Sequence, residues 1–107
     1  MSKPESPEHG AICDLATDEQ ELRRGEPYQR EGHAARTLVR EDDLRVVLLV
    51  MRAGARIPQH VAEATTSVHV LAGEVRLRVP LGAPAPDRVL ELRSGQVLVL
   101  DAGLPHD

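Results

Sequence analysis

Aromatic residues are nearly missing from this chain, which has no Phe, no Trp and a single Tyr, Tyr28. Recognition of nucleic acid or sugar by stacking therefore has almost nothing to work with. Cysteine is reduced to Cys13; one thiol cannot close an internal disulfide, which argues against a secreted domain held by bridges. Lysine is confined to Lys3, so positive charge is carried by arginine. The 13 basic residues are outnumbered by 17 acidic ones for a formal charge of -4, and the arginines are scattered among acids. No phosphate-binding surface is expected from such a distribution. No apolar run approaches the ~20 residues that cross a bilayer. Met1 to Gly10 is polar and contains Pro4 and Pro7, unlike a signal peptide. The expected setting is cytoplasmic, with neither nucleic acid nor membrane as partner.

What is present is aliphatic. At 107 residues there is room for one domain, with Val and Leu filling its core. Residues 1–12, rich in Pro, Ser and Glu at their start, are expected to form a disordered tail, and residues 13–107 the domain. Thr17-Asp18-Glu19-Gln20 has a capping-box pattern and Gly25 a stop signal, which predicts one short helix from Asp18 to Arg24. From Ala35 onward the pattern is that of strands. Arg36 to Arg40 is a short β-prone run, followed by the acidic turn Glu41-Asp42-Asp43. Leu44 to Met51 is apolar on both faces, as in a strand covered on both sides. Further strands are expected over Ser67 to Leu71, Glu74 to Val79, Val89 to Arg93 and Val97 to Leu100, punctuated by Gly and Pro. In Glu74 to Val79 the odd-numbered residues point inward, and Leu90 and Leu92 share one face. Short strands at this spacing define an all-β sandwich or barrel.

Two stretches carry the chemistry. Gly54 is followed by five residues and then His60, with Gly73 closing the stretch. Gly95 is followed by five residues and then Asp101-Ala102-Gly103-Leu104-Pro105-His106. This pair resembles the two motifs of the cupin superfamily, and it is closest to small single-domain bacterial cupins with an incomplete metal-ligand set. The resemblance covers about half the chain, from Gly54 to His106. It implies a small jelly-roll β-barrel with one short N-terminal helix. Cupins usually continue past the final His with at least one more strand, so by the resemblance a chain ending at Asp107 is expected to lack the strand that closes the barrel. The open edge beside Val97 to Leu100 would then seek a partner, with residues near Arg36 to Val39 helping to cover it, and a homodimer is expected.

The departures from the family pattern bear on function. Ala62 stands where the family has its second His, Thr66 where it has Glu, and Asp101 where it has Pro. Of the residues that hold Fe, Mn, Zn or Ni in metal-binding cupins, the carry-over leaves His60 and His106. Strand alternation places His69 on the face opposite Thr66, Val68 and Val70. Two imidazoles are fewer than the three or more protein ligands that catalytic sites use. The leading expectation is a non-enzymatic small-ligand or sensor protein whose barrel mouth presents His60, Thr66 and His106 over an apolar wall. The alternative is a metal-dependent enzyme of dioxygenase or isomerase type, using His60, His106 and a non-standard third ligand. A metal-free acid/base enzyme using either histidine comes last. The remaining signals have plain readings. His9 and His33 are solvated, Tyr28 anchors the N-terminal segment, and Arg45, Arg76, Arg78, Arg88 and Arg93 lie on outer strand faces.

Overall fold

Asp14, not Thr17, starts the first helix. Its carboxylate accepts the backbone N–H of Thr17 at 3.1 Å, satisfying one of the amides that a helix start leaves open. Helix α1 runs Leu15–Arg24, three residues earlier than expected. The Thr and Gln read as a capping box therefore lie inside the helix. A second helix, α2 (Glu26–Glu31), follows directly and was not expected. Its signals are present in the sequence, with Pro27 in the first turn and Gly32 just past the end, but six residues are too few to show a helical period. Gly32 is left-handed at φ 83°, and its N–H donates to Tyr28 O at 2.8 Å. A Cβ there would lie 3.3 Å from Ala55, so both conformation and space favour glycine.

The structure is a computed structural model that describes residues 10–107. Most of the expected 1–12 tail lies outside those residues; of the rest, Ile12 forms an isolated β-bridge. The chain divides into two units, Met1–Arg56 and Ile57–Asp107.

In the first unit, β1 (His33–Arg40) and β2 (Arg45–Met51) pair antiparallel from His33↔Met51 to Arg40↔Arg45. A register shift between Thr37 and Val39 gives Leu38 the bulged position, where it is buried. One face of this hairpin receives the helices: Ala34 and Val50 pack with Leu22 of α1 and Tyr28 of α2, and Leu48 joins them. Arg36 is one step along from Ala34 on that face. A single guanidinium nitrogen, Nη1, donates to Asp18 Oδ1 and to Glu21 Oε1, each at 2.6 Å. Asp18 and Leu22 are four residues apart and both buried, so one helical stripe supplies the ionic and the apolar contact. The hydrogen bond that Glu21 accepts from Arg36, then that accepted by Asp18, holds the Arg36 pKa above its ordinary value. The charged form is thus favoured on folding, and that contribution is lost as pH rises through the guanidinium range. Tyr28 is flanked by two guanidinium groups, Arg23 at 5.5 Å and Arg52 at 5.2 Å from the ring centre, and its hydroxyl accepts from Arg23. Tyr28 therefore does anchor the N-terminal segment. On the second face of β2, Val47 and Leu49 stand nearly half exposed within the chain.

In the second unit six strands form three antiparallel pairs. They are β3 (His60–Val61) with β8 (Pro105–His106), β4 (Thr66–His69) with β7 (Val97–Leu100), and β5 (Glu74–Val79) with β6 (Arg88–Arg93). Leu77 and Val79 of β5 share a core with Leu100 of β7, packed by Val68, Leu90, Leu98 and Leu104. The alternation read in β5 and β6 holds: Val75, Leu77, Val79, Leu90 and Leu92 point inward. His69 points away from the core, paired with Val97 on an exposed face.

The architecture is strand-rich, as expected, with eight strands and two helices among the described residues. The strands form separate two-stranded pairs, not a closed barrel. Closure needs every strand bonded along both edges, whereas each strand here has one ladder. The links beyond those ladders are local, such as the mutual backbone bonds of Arg78 and Asp107. No helix among the described residues is long and apolar enough to cross a membrane.

Arg36→Ala removes the cation that two helix carboxylates share. Charge-assisted hydrogen bonds of this kind contribute about 1.5–3 kcal/mol, which corresponds to a fall in unfolding midpoint of roughly 10 °C. Thermal denaturation followed by circular dichroism checks this; an unchanged midpoint would show that α1 is held by Leu22 and Tyr28 alone.

Candidate functional site

The turn before β8 sets its position. Leu104 N–H donates back to Asp101 O across Ala102 and Gly103, and Gly103 has φ 79°. With Ala102 at negative φ, this is a turn of type II, whose third position requires a residue such as glycine. Gly103 N–H then donates to Ala62 O at 2.8 Å, which draws the segment alongside β3. The two-residue ladder that follows pairs His60 with His106 and Val61 with Pro105. Two histidines 46 positions apart in sequence thus become direct cross-strand neighbours on one face.

Their rings meet edge to face, with centroids 4.2 Å apart and planes at 66°. His60 is exposed and His106 is buried at 5% relative exposure. Each ring is held by its own chain two residues back. His60 Nδ1 lies 3.1 Å from Pro58 O, and His106 Nδ1 lies 2.9 Å from Leu104 O. A carbonyl oxygen only accepts, so Nδ1 carries the hydrogen in both rings. In the neutral imidazoles, Nε2 is then the atom with the free lone pair. The arrangement is that of two rings, each fixed through Nδ1, with Nε2 as its remaining acceptor nitrogen.

A second link fixes β8 from its other side. Arg78 and Asp107 exchange both backbone hydrogen bonds, at 2.8 and 3.0 Å, so β8 also borders β5. The Asp107 carboxylate receives Arg78 through Nε at 3.1 Å and again through Nη2, a bidentate fork. That fork, chiefly through its hydrogen bonding, holds the Arg78 pKa above its ordinary value, and the more distant Asp87 adds to it. With Arg78 opposite Asp107, antiparallel register places Val79 opposite His106, and Val79 in turn pairs with Arg88. One row therefore crosses four strands in the order His60, His106, Val79, Arg88. His60 opens β3 and His106 closes β8, whereas Val79 closes β5 and Arg88 opens β6, so the row is where the β3–β8 pair and the β5–β6 pair abut, each extending to the opposite side of it.

Among the residues expected at the site, the structure brings His60 and His106 together. Thr66 lies on β4, opposite Leu100, and its hydroxyl donates to Ala64 O at 3.0 Å. It shares no hydrogen bond with either imidazole. The expectation that Arg88 lies on an outer face is corrected: its partner is the buried Val79, and it shares the inward parity of Leu90 and Leu92. Arg76 and Arg78 do lie on the outer face, where Arg76 pairs with Glu91 at 3.3 Å. Alternation in β6 was the available signal for Arg88, since it has the same parity as Leu90. Among the described residues there is no group of three or more His, Cys, Asp or Glu able to hold a metal ion. No family model, curated protein or solved structure matches the chain.

The tautomer assignment is directly measurable. In the neutral form, long-range proton–nitrogen NMR correlations should show Nδ1–H for both His60 and His106. Free imidazole favours the other tautomer, so finding Nε2–H on either ring would show that its backbone carbonyl does not hold it in solution.

Proposed function

We propose that this chain is a small-ligand-binding or sensor protein of the cupin kind, with its site at the pair formed by His60 and His106. The observation that carries the reading is the pair of imidazoles held by Pro58 O and Leu104 O, with Nε2 of each as its remaining acceptor. The cupin assignment rests on the two glycine-to-histidine spacings, and its support is that the histidines of the two stretches become register partners. A ligand with an apolar body and one polar or acidic end suits a pair of imidazoles in an aliphatic domain. Thr66 keeps acceptor capacity on its hydroxyl oxygen and stays in the candidate set.

A second reading is favoured by the same tautomers, because a metal-ligating histidine typically donates its other N–H to a carbonyl or carboxylate. A divalent Zn, Fe, Mn or Ni ion would be held by His60 and His106, serving a metal-dependent enzyme. The donor set does not complete that site: a third protein ligand is missing from the described residues. Elemental analysis of the purified protein, beside a His60→Ala, His106→Ala double variant, separates the readings. We expect substoichiometric metal in both proteins after incubation with each of the four ions. Near-stoichiometric metal that disappears in the double variant would establish the metalloprotein instead.

Self-association belongs to the same proposal. Val97 and Val99 are 57% and 62% exposed, on the β7 face away from the core. Adjacent exposed valines on a strand with an open edge favour a second copy of the chain. Light scattering coupled to size exclusion should give twice the 11.7 kDa chain mass, and Val99→Asp should shift it toward one chain. A monomeric mass for the unaltered protein refutes the dimer.

A further inference from the structure

We infer that the free edge of β2 is a self-pairing surface, to which β2 of a second copy adds antiparallel to make one continuous sheet of two hairpins. This deepens the reading of self-association, on which it rests, by naming the strand whose backbone pairs. Arg52 N–H donates to Gly32 O at 2.6 Å, and Glu41 N–H donates to Leu44 O at 2.8 Å. Antiparallel ladders alternate between bonded and unbonded pairs. Both closures therefore give the same parity, with Val46, Leu48 and Val50 directing their backbone groups to β1. Val47, Leu49 and Met51 direct theirs to the opposite edge. No strand borders β2 on that edge, and these outward groups have no hydrogen-bond partner among the described residues.

Strand edges normally carry a guard: charge, a bulge, proline or short length. Every other described strand has one. Strand β1 is bulged at Leu38 and carries Arg36 and Arg40. Half the residues of β5 and of β6 are charged. Strands β4 and β7 have four residues, and β3 and β8 have two. Strand β2 has seven, apolar without interruption from Val46 to Met51, and its one charge, Arg45, stands at its start. Val46, Val47 and Leu49 are 38%, 47% and 45% exposed.

This edge fits its own copy. A two-fold axis through Leu48 runs the two strands antiparallel and sets Val47 against the partner's Leu49, so that their outward backbone groups meet. Arg45 then falls beside the partner's Met51, and the two cations lie at opposite ends of the pairing. Parallel alignment in register would instead put them side by side, where like charges repel. Pairing also brings Val47 and the partner's Leu49 together on the hairpin face away from the helices. The assembly closes at two copies, because the edges left outside are those of β1, with its bulge and arginines.

Amide hydrogen exchange on the whole chain, beside light scattering, tests the pairing. In the two-chain species the N–H groups of Val47 and Leu49 should exchange as slowly as those of Leu48 and Val50. Dilution to single chains should remove that protection from Val47 and Leu49 alone. Leu49→Pro takes away an outward donor and none from the β1 ladder, so it should give a single-chain mass with an unchanged circular dichroism spectrum. Leu49→Lys keeps the N–H but places a charge on the edge; it should give the same mass, and it serves if proline unfolds the hairpin. A two-chain species whose Val47 and Leu49 amides exchange fast, or that persists in the folded variants, overturns the β2 edge and leaves self-association standing. A single-chain mass for the unaltered protein overturns both.

Discussion

Arg78 and Asp107 hold each other at four points, two between their backbones and two between their side chains, and the candidate site depends on that attachment. Strand β8 has two residues and one short ladder to β3. Without a second border it would be a loop end, and His106 would have no fixed row. The backbone exchange with Arg78 supplies the border, and the bidentate fork sets which residue of β5 lies opposite. Because side chains alternate along a strand, placing Asp107 outward places His106 inward. The burial of His106 and the row it shares with Val79 follow from the same pairing.

The two units solve the problem of an aromatic-poor core differently. In the second, branched aliphatic residues from β4, β5, β6 and β7 interdigitate, and their small volumes suit short strands. In the first, a two-stranded hairpin has too little surface to stand alone, and it gains a helical cover. That cover combines the chain's only tyrosine with an ionic clamp: Tyr28 between two arginines, and Arg36 beneath two carboxylates. A partly buried cation with two anionic acceptors is oriented as well as neutralised, so α1 is set in rotation as well as in position.

The chemistry of the histidine pair is economical. Neither histidine uses a carboxylate to fix its tautomer; each uses the carbonyl two residues before it. Such a bond forms within a single turn of chain and needs no distant partner, so the ring orientation comes with the local loop. What the loops do not supply is proximity, which comes from the β3–β8 ladder. Base orientation is thus a local property here, and the pairing of the bases a long-range one.

Much of this was readable from residue order alone. The alternation of Glu74 to Val79 and of the leucines in β6 identifies their inward faces, because a period of two survives in any sheet that buries one side. The outward direction of His69 follows from the same rule. The spacings after Gly54 and Gly95 single out His60 and His106. Other features were not legible because they depend on partners distant in sequence. The helix start fell to Asp14 because its carboxylate, not the Thr17 hydroxyl, reaches the open amide. The strands β3 and β8 are too short to show a period, and only their pairing defines them. The expectation for Arg88 treated a charged residue in a strand as an outward one, and register with Val79 reversed it. Residue order determined which faces are apolar and which side chains can do chemistry, since those follow from local period and residue type. Tertiary structure decided which of those side chains meet, because register between strands is set by hydrogen bonds that no local pattern encodes.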